Sequence, residues 1–277
     1  MGHWFQTAPI WLLGLLLFLA TVACAFGGAR FSGWLAQRPG EGGKLSDAQE
    51  GYVVSSIFAL LALLVAFTFG LAMDRFETRR HLVVEDATAI ETLYLKSQLL
   101  EEPHRSRVSG LLVRYAQNHV ELAQIHRDNA AAGKLLAEDN ALLRELWTVT
   151  IPAFQSIRTI DFSSSFVDSV TDVVKVDAER KALRRAQIPD TIIIVLIFYA
   201  LVASAVLGGV MHSRKAQQFS IALLALNILA LMVITDINRP VEGTIRESQQ
   251  PMEQMLQRLR ANPPAVYLAT AQQPAQR

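Results

Sequence analysis

The chain has 277 residues, 51% hydrophobic and 18% charged, with a mean hydropathy of +0.26, on the apolar side of ordinary soluble domains, so a membrane protein is the first expectation. Lys plus Arg (26) against Asp plus Glu (25) leaves a formal charge of +1, which excludes a bulk positive field for nucleic acid and an acidic solvating tail. The one cysteine, Cys24, cannot close an internal disulfide and reads as a small packing residue in an apolar run.

A bilayer core about 30 Å thick needs roughly 20 apolar helical residues. Four charge-free segments meet that length: Ile10 to Phe26, Tyr52 to Met73, Thr191 to Met211 and Ala216 to Thr235. They stop at charged or turn-forming residues, such as Asp74 and Arg75, or Asp236 with the Asn238-Arg239-Pro240 run. Pro9 and Pro189 precede the first and third spans, where a missing N–H costs little. Ala23-Cys24-Ala25 resembles an export cleavage site, but residues 1–9 contain no Lys or Arg, so the first span is read as permanent. Lys and Arg near span ends are retained in the cytoplasm. The face shared by the termini and residues 74–189 carries ten of them, including Arg75, Arg79, Arg80, Arg180, Lys181 and Arg184. The other face carries five, Arg30, Arg38, Lys44, Arg214 and Lys215. Both termini are expected inside.

The expected architecture is all-α. Residues 1–73 hold two spans and a glycine-rich outer connector over 27–51, and residues 74–189 form a cytoplasmic helical domain. Residues 190–236 form a two-span hairpin, and 237–277 a cytoplasmic segment disordered after about 261. The second-span helix is expected to run past the membrane, with Val83, Ala87, Ile90, Tyr94 and Ser97 on one stripe. A helix from Pro103 carries Val108, Leu112, Tyr115, His119 and Leu122 and ends near Asn129 to Gly133. Another, over about 139–150, turns Leu142, Leu143 and Leu146 inward, with Pro152 as a break or kink. A last one starts at the capping cluster Ser163-Ser164-Ser165 and runs through Phe166, Val170, Val173 and Val174 to a basic end at 180–185.

No catalytic constellation is present. His119, Glu121 and His126 cluster, but without the spacing of metal ligands on one helix, so they read as a solvated or packing face. No metal, cofactor or nucleic-acid partner is expected. Within the spans, Ser55, Ser56 and Thr68 are expected to bond back to their own helix and Asn227 to a neighbouring one. The juxtamembrane arginines read as positive-inside anchors, with Glu85, Asp86 and Glu91 pairing with some of them.

The stretch Ala66-Phe67-Thr68-Phe69-Gly70-Leu71-Ala72-Met73 followed by Asp74-Arg75-Phe76-Glu77-Thr78-Arg79-Arg80 resembles the end of the second helix of bestrophin anion channels. A closer resemblance is to bacterial bestrophin-like proteins. It continues through Glu85-Asp86, Glu102-Pro103-His104-Arg105 and Asp161 to Phe166. It ends in the run after helix four, Asp236, Arg239 and Pro240 with Ile245 to Pro251. The likeness covers roughly residues 52–260 and rests on Asp74, Arg75, Phe76, Glu77, Arg79 and Arg80. It implies a four-span protein of the bacterial inner membrane, assembled as a pentamer around a pore for small anions lined by span two. The family's hydrophobic neck would fall on Ala59, Leu63 and Phe67, with a Phe67 ring able to gate by dewetting. Two departures stand out. Ala59 is small for a constriction, and Asp236, Glu242 and Glu247 are too sparse for the family's calcium clasp. The alternative reading is a membrane-anchored helical scaffold or sensor.

Overall fold

The structure is a computed structural model that describes residues 9–37, 47–125, 129–186, 188–210, 214–239 and 243–272. Those residues contain nine helices and no strand: α1 (Ile10–Ala36), α2 (Asp47–Ser97), α3 (His104–Gln124), α4 (Asn129–Ile157), α5 (Phe162–Arg185), α6 (Asp190–Val210), α7 (Arg214–Ile237), α8 (Gln250–Ala261) and α9 (Pro264–Gln272). Four of them, α1, α2, α6 and α7, are long and apolar enough to cross a membrane. The chain divides into two compact units. The first is Met1–Phe76 with Gln187–Arg246, and the second is Glu77–Ala186 with Glu247–Arg277.

In the first unit Leu61, Leu196, Ala200, Ala203, Ile228 and Leu231 form a buried cluster, against which Leu17 and Phe18 of α1 pack. Cohesion between helices in lipid comes from close packing, because lipid tails are as apolar as leucine. α1 and α6 achieve that closeness through glycine. A Cβ on Gly28 would run into the Ala205 backbone, and one on Gly208 into the Ala25 backbone. Where α6 begins, the Ile188 N–H donates to Asn238 Oδ1 just past α7 at 2.8 Å, which ties the ends of those two helices together.

The second unit is built on the expected stripes. Ile90, Leu93, Tyr94, Leu112, Tyr115, Phe166, Val170 and Val173 are buried together with Met252 and Met255 of α8. Polar ties add register. Lys96 Nζ donates to the Ser165 carbonyl at 2.8 Å and to Ser169 Oγ at 2.5 Å, and the Tyr94 hydroxyl donates to the Asn262 carbonyl at 2.8 Å.

Several expectations about local structure are corrected. α1 runs on to Ala36 and α2 starts at Asp47, so both described flanks of the outer connector are helical; Gly40, Gly42 and Gly43 lie outside the described residues. α4 continues through Pro152; burial of Leu146, Ala153 and Ile157 on one side compensates the one backbone hydrogen bond that a proline removes. Ser163, Ser164 and Ser165 sit inside α5, which begins at Phe162 after Asp161 without a side-chain cap. Val174 is exposed and Val176 takes its place inside. Residues 264–272, expected to be disordered, form α9, whose Tyr267 packs against the core of the second unit.

Candidate functional site

Helical geometry decides the faces of α2. Residues 59, 63 and 67 are four apart and drift by about 40° per step, so they share one side of the helix. Leu61, Thr68 and Ala72 lie diametrically opposite and are buried. Ala59 is exposed, Leu63 is 51% exposed and Phe67 65%. All three neck candidates are thus exposed among the described residues. The hydroxyls in this span bond back to their own helix as expected: Ser55 to the Gly51 carbonyl, Ser56 to Tyr52 and Thr68 to Leu64, each at 2.8 Å. They therefore add no unsatisfied donor. Asn227 behaves otherwise. Its Oδ1 is buried and has no hydrogen-bond partner among the described residues, so the interhelical bond expected of this oxygen is absent there.

The motif that ends span two separates into exposed and buried members. Asp74, Glu77 and Arg80 are exposed, and Arg80 lies 3.4 Å from Glu77 in a surface pair; Arg75 and Phe76 are half-buried. Arg79 is buried and ion-paired with Glu247. In the run after α7, Asp236 organises a turn. Its Oδ1 accepts the Thr244 N–H at 2.8 Å, while Oδ2 accepts the Thr244 hydroxyl at 2.5 Å and the Ile245 N–H at 2.9 Å. Gly243 is required there, since a Cβ would stand 2.5 Å from the Asp236 carbonyl oxygen and 2.6 Å from that of Arg239. Arg239 is buried, and Pro240 lies outside the described residues.

A polar centre unanticipated as a cluster lies inside the second unit. His119, on the expected α3 stripe, is buried, with Nδ1 2.9 Å from Asp86 Oδ2 and Nε2 2.7 Å from Asp139 Oδ1. Arg180 Nη1 also lies 2.7 Å from the same Nδ1. Burial and the Arg180 charge oppose a protonated ring, but the Asp86 charge and the hydrogen bonds to both aspartates outweigh them and raise the His119 pKa above its ordinary value. Burial likewise favours neutral Asp86 and neutral Asp139. His119 with Arg180 for the first, and His119 with Lys181 for the second, nevertheless hold both carboxyls below the usual range. Arg180 is ion-paired with Asp86. Lys181 Nζ bridges Asp139 at 2.5 Å and Asp177 at 2.7 Å. The Tyr115 ring lies tilted against His119, with centroids 4.2 Å apart.

His119, Asp139 and Asp177 bring one ligand atom each within 4.8 Å of one another. That nitrogen and oxygen set suits a divalent cation in composition, but the Lys181 ammonium stands between the two carboxylates and supplies the positive charge a metal would bring. Of the acidic residues expected to meet the juxtamembrane arginines, Asp86 takes Arg180, whereas Glu91 instead takes Arg258 at 2.8 Å and Glu85 lies 3.6 Å from His81. Glu121 makes no part of the buried centre and hydrogen-bonds Gln117; His126 lies outside the described residues. The overlooked signal was register. Asp86 falls on the buried stripe of α2 beside Val83 and Ile90, Asp139 heads the Leu142–Leu146 stripe, and Asp177 and Arg180 extend the stripe of Phe166, Val170 and Val173.

The family profile of the bestrophin-like domain matches residues 15–252. Among solved structures, the fold is similar to a single-substitution variant of a bacterial bestrophin homologue from Klebsiella pneumoniae, at 15% identity and a TM-score of 0.65, covering 92% of this chain and 97% of that one. It is also similar to another structure of a bacterial bestrophin homologue from Klebsiella pneumoniae, at 16% identity and a TM-score of 0.60, covering 94% and 99%. A search of curated proteins finds no match.

Proposed function

This chain belongs to the bestrophin-like family, and from that membership we propose that it works as an oligomeric anion channel whose pore is lined by α2. Family and fold make it an integral membrane protein of the bestrophin channel type. The single observation that carries the finer reading is the uncovered stripe Ala59, Leu63 and Phe67, directly across α2 from the packed residues Leu61, Thr68 and Ala72. An uncovered row of this kind marks a surface meant for lipid or for other copies of the chain. In a ring of copies, with five as the family-based expectation, the row faces the axis. Phe67 then forms the narrowest apolar constriction, which opens by wetting, and Ala59 leaves the neck short. In this reading both termini and the second unit lie in the cytoplasm of a bacterial inner membrane, a placement that the basic residues flanking the spans support. Asp236 has both carboxylate oxygens committed to Thr244 and Ile245, so a calcium ion is not part of the proposal.

The test is chloride flux into liposomes carrying the purified protein, wild type against Phe67→Ala. Flux in the wild type that rises in the variant is the expected result. A second reading, a membrane-anchored scaffold or sensor, draws on exposed Trp147, Ile151 and Ile160 in the second unit, a surface suited to a protein partner. Absence of flux in both proteins, with insertion verified, would favour that reading over the channel.

A further inference from the structure

We propose that the second unit contains a specific binding site for one small inorganic anion of chloride size, in a cavity where Arg184 meets Arg79 and Arg180. The cavity measures about 30 Å³ and is lined by those three arginines with Glu247 and Gln249; Leu82, Val83 and Leu183 form its apolar wall. Space of that order admits one or two water-sized particles, which suits a monatomic ion.

Positive charge gathers at this cavity. Arg79 is buried and held by Glu247, the one carboxylate in the lining. Arg180 is held by Asp86, which it shares with His119. Arg184, half-buried, has neither a hydrogen bond nor an ion pair among the described residues. Three arginines and a single glutamate line the cavity, so its wall is predominantly positive. A desolvated charge without a partner is costly. Burial and the charge of Arg180 together depress the Arg184 pKa below the ordinary arginine value, a direction that a bound anion would reverse. The oxygen of Gln249 adds a second unsatisfied group: Oε1 is buried and has no hydrogen-bond partner among the described residues, and a water entering with the ion would donate to it. Every residue used here belongs to the second unit, so the site stands whether or not the spans conduct. Its occupant would cross-link α2, α5 and the segment preceding α8.

The test uses the full-length protein purified in detergent. Thermal unfolding is followed in sodium chloride, sodium sulfate and sodium gluconate at matched ionic strength. The expected result is a saturable rise in Tm of about 2–4 °C in chloride alone, abolished by Arg184→Gln and retained in part by Arg184→Lys. The proposal is overturned by a wild type indifferent to chloride, by a rise that sulfate reproduces, or by a rise that Arg184→Gln leaves intact. Should Arg184→Gln fail to fold, crystals of the wild type soaked in sodium bromide decide the matter through anomalous scattering. A peak beside Arg184 supports the site, and its absence from the cavity removes it.

Discussion

The two units are both bundles of helices, yet their interiors are satisfied in different ways. In the first unit the polar side chains Ser55, Ser56, Thr68 and Ser204 each return a hydrogen bond to their own helix four residues back. Its helices close up through Gly28 and Gly208. In the second unit the polar interior is shared between helices: His119 of α3 joins Asp86 of α2 to Asp139 of α4, and Arg180 and Lys181 of α5 complete the set. The difference fits the proposed placement of the first unit in lipid and the second in water. Water excluded from the second unit would drive its apolar core together and leave its charges to be matched pairwise. Lipid offers no such drive, so contact area between backbones and hydrogen bonds closed within each helix take its place.

The strongest way to sharpen this contrast is His119→Ala. It strips the shared cation from two buried carboxylates, and breaking a buried ion pair in this manner costs about 3–5 kcal/mol. Denaturant unfolding monitored by near-ultraviolet circular dichroism should report the second unit lost at lower denaturant. Unchanged stability would mean that the network is not part of what holds the unit together. Next comes Gly208→Leu in the first unit, where the added side chain must displace the Ala25 backbone of α1. Overpacking of this type costs about 1–3 kcal/mol or more, and the readout is the Tm of purified protein in detergent. A Tm equal to wild type would refute the close approach.

A pH series gives a third, smaller effect. The His119 pKa is raised, so the stability it confers is complete below about pH 6.5 and is lost as pH climbs through the higher folded value. Asp86 and Asp139 are depressed; their share is complete above about pH 4 and is lost as pH falls through their lowered values. Thermal stability should therefore peak on the mildly acidic side and decline on alkalinisation. His119→Asn should lack the alkaline decline, and a decline identical in both proteins would assign it to other groups. Smallest is Thr68→Val, which removes a hydroxyl bonded only to its own helix. A change of about 0.5 kcal/mol or less is expected, and a large one would show that Thr68 serves a neighbour in the assembled protein.

Much of this architecture can be read without coordinates. Four uncharged runs long enough for a bilayer, the stripes of Val83, Ala87, Ile90 and Tyr94 or of Val108, Leu112 and Tyr115, and the motif from Asp74 to Arg80 are all local patterns. They follow from the rise and turn of a single helix. Even the burial of His119 is legible, because it stands on the same stripe as Tyr115. Helix ends are less so: Pro152 and the Ser163 to Ser165 cluster read as stops or starts, but packing from neighbouring helices carries α4 and α5 across them.

The tertiary structure alone decided which charges meet. His119 finds Asp86 33 residues away and Asp139 20 residues away, and Arg79 finds Glu247 at a separation of 168. Each pairing depends on how one helix is rotated against another, and a shift of one residue turns a side chain by about 100°. The sequence determines which face of each helix is buried, because that requires only local periodicity. The partners across those faces are set by the packing of helices distant in the chain.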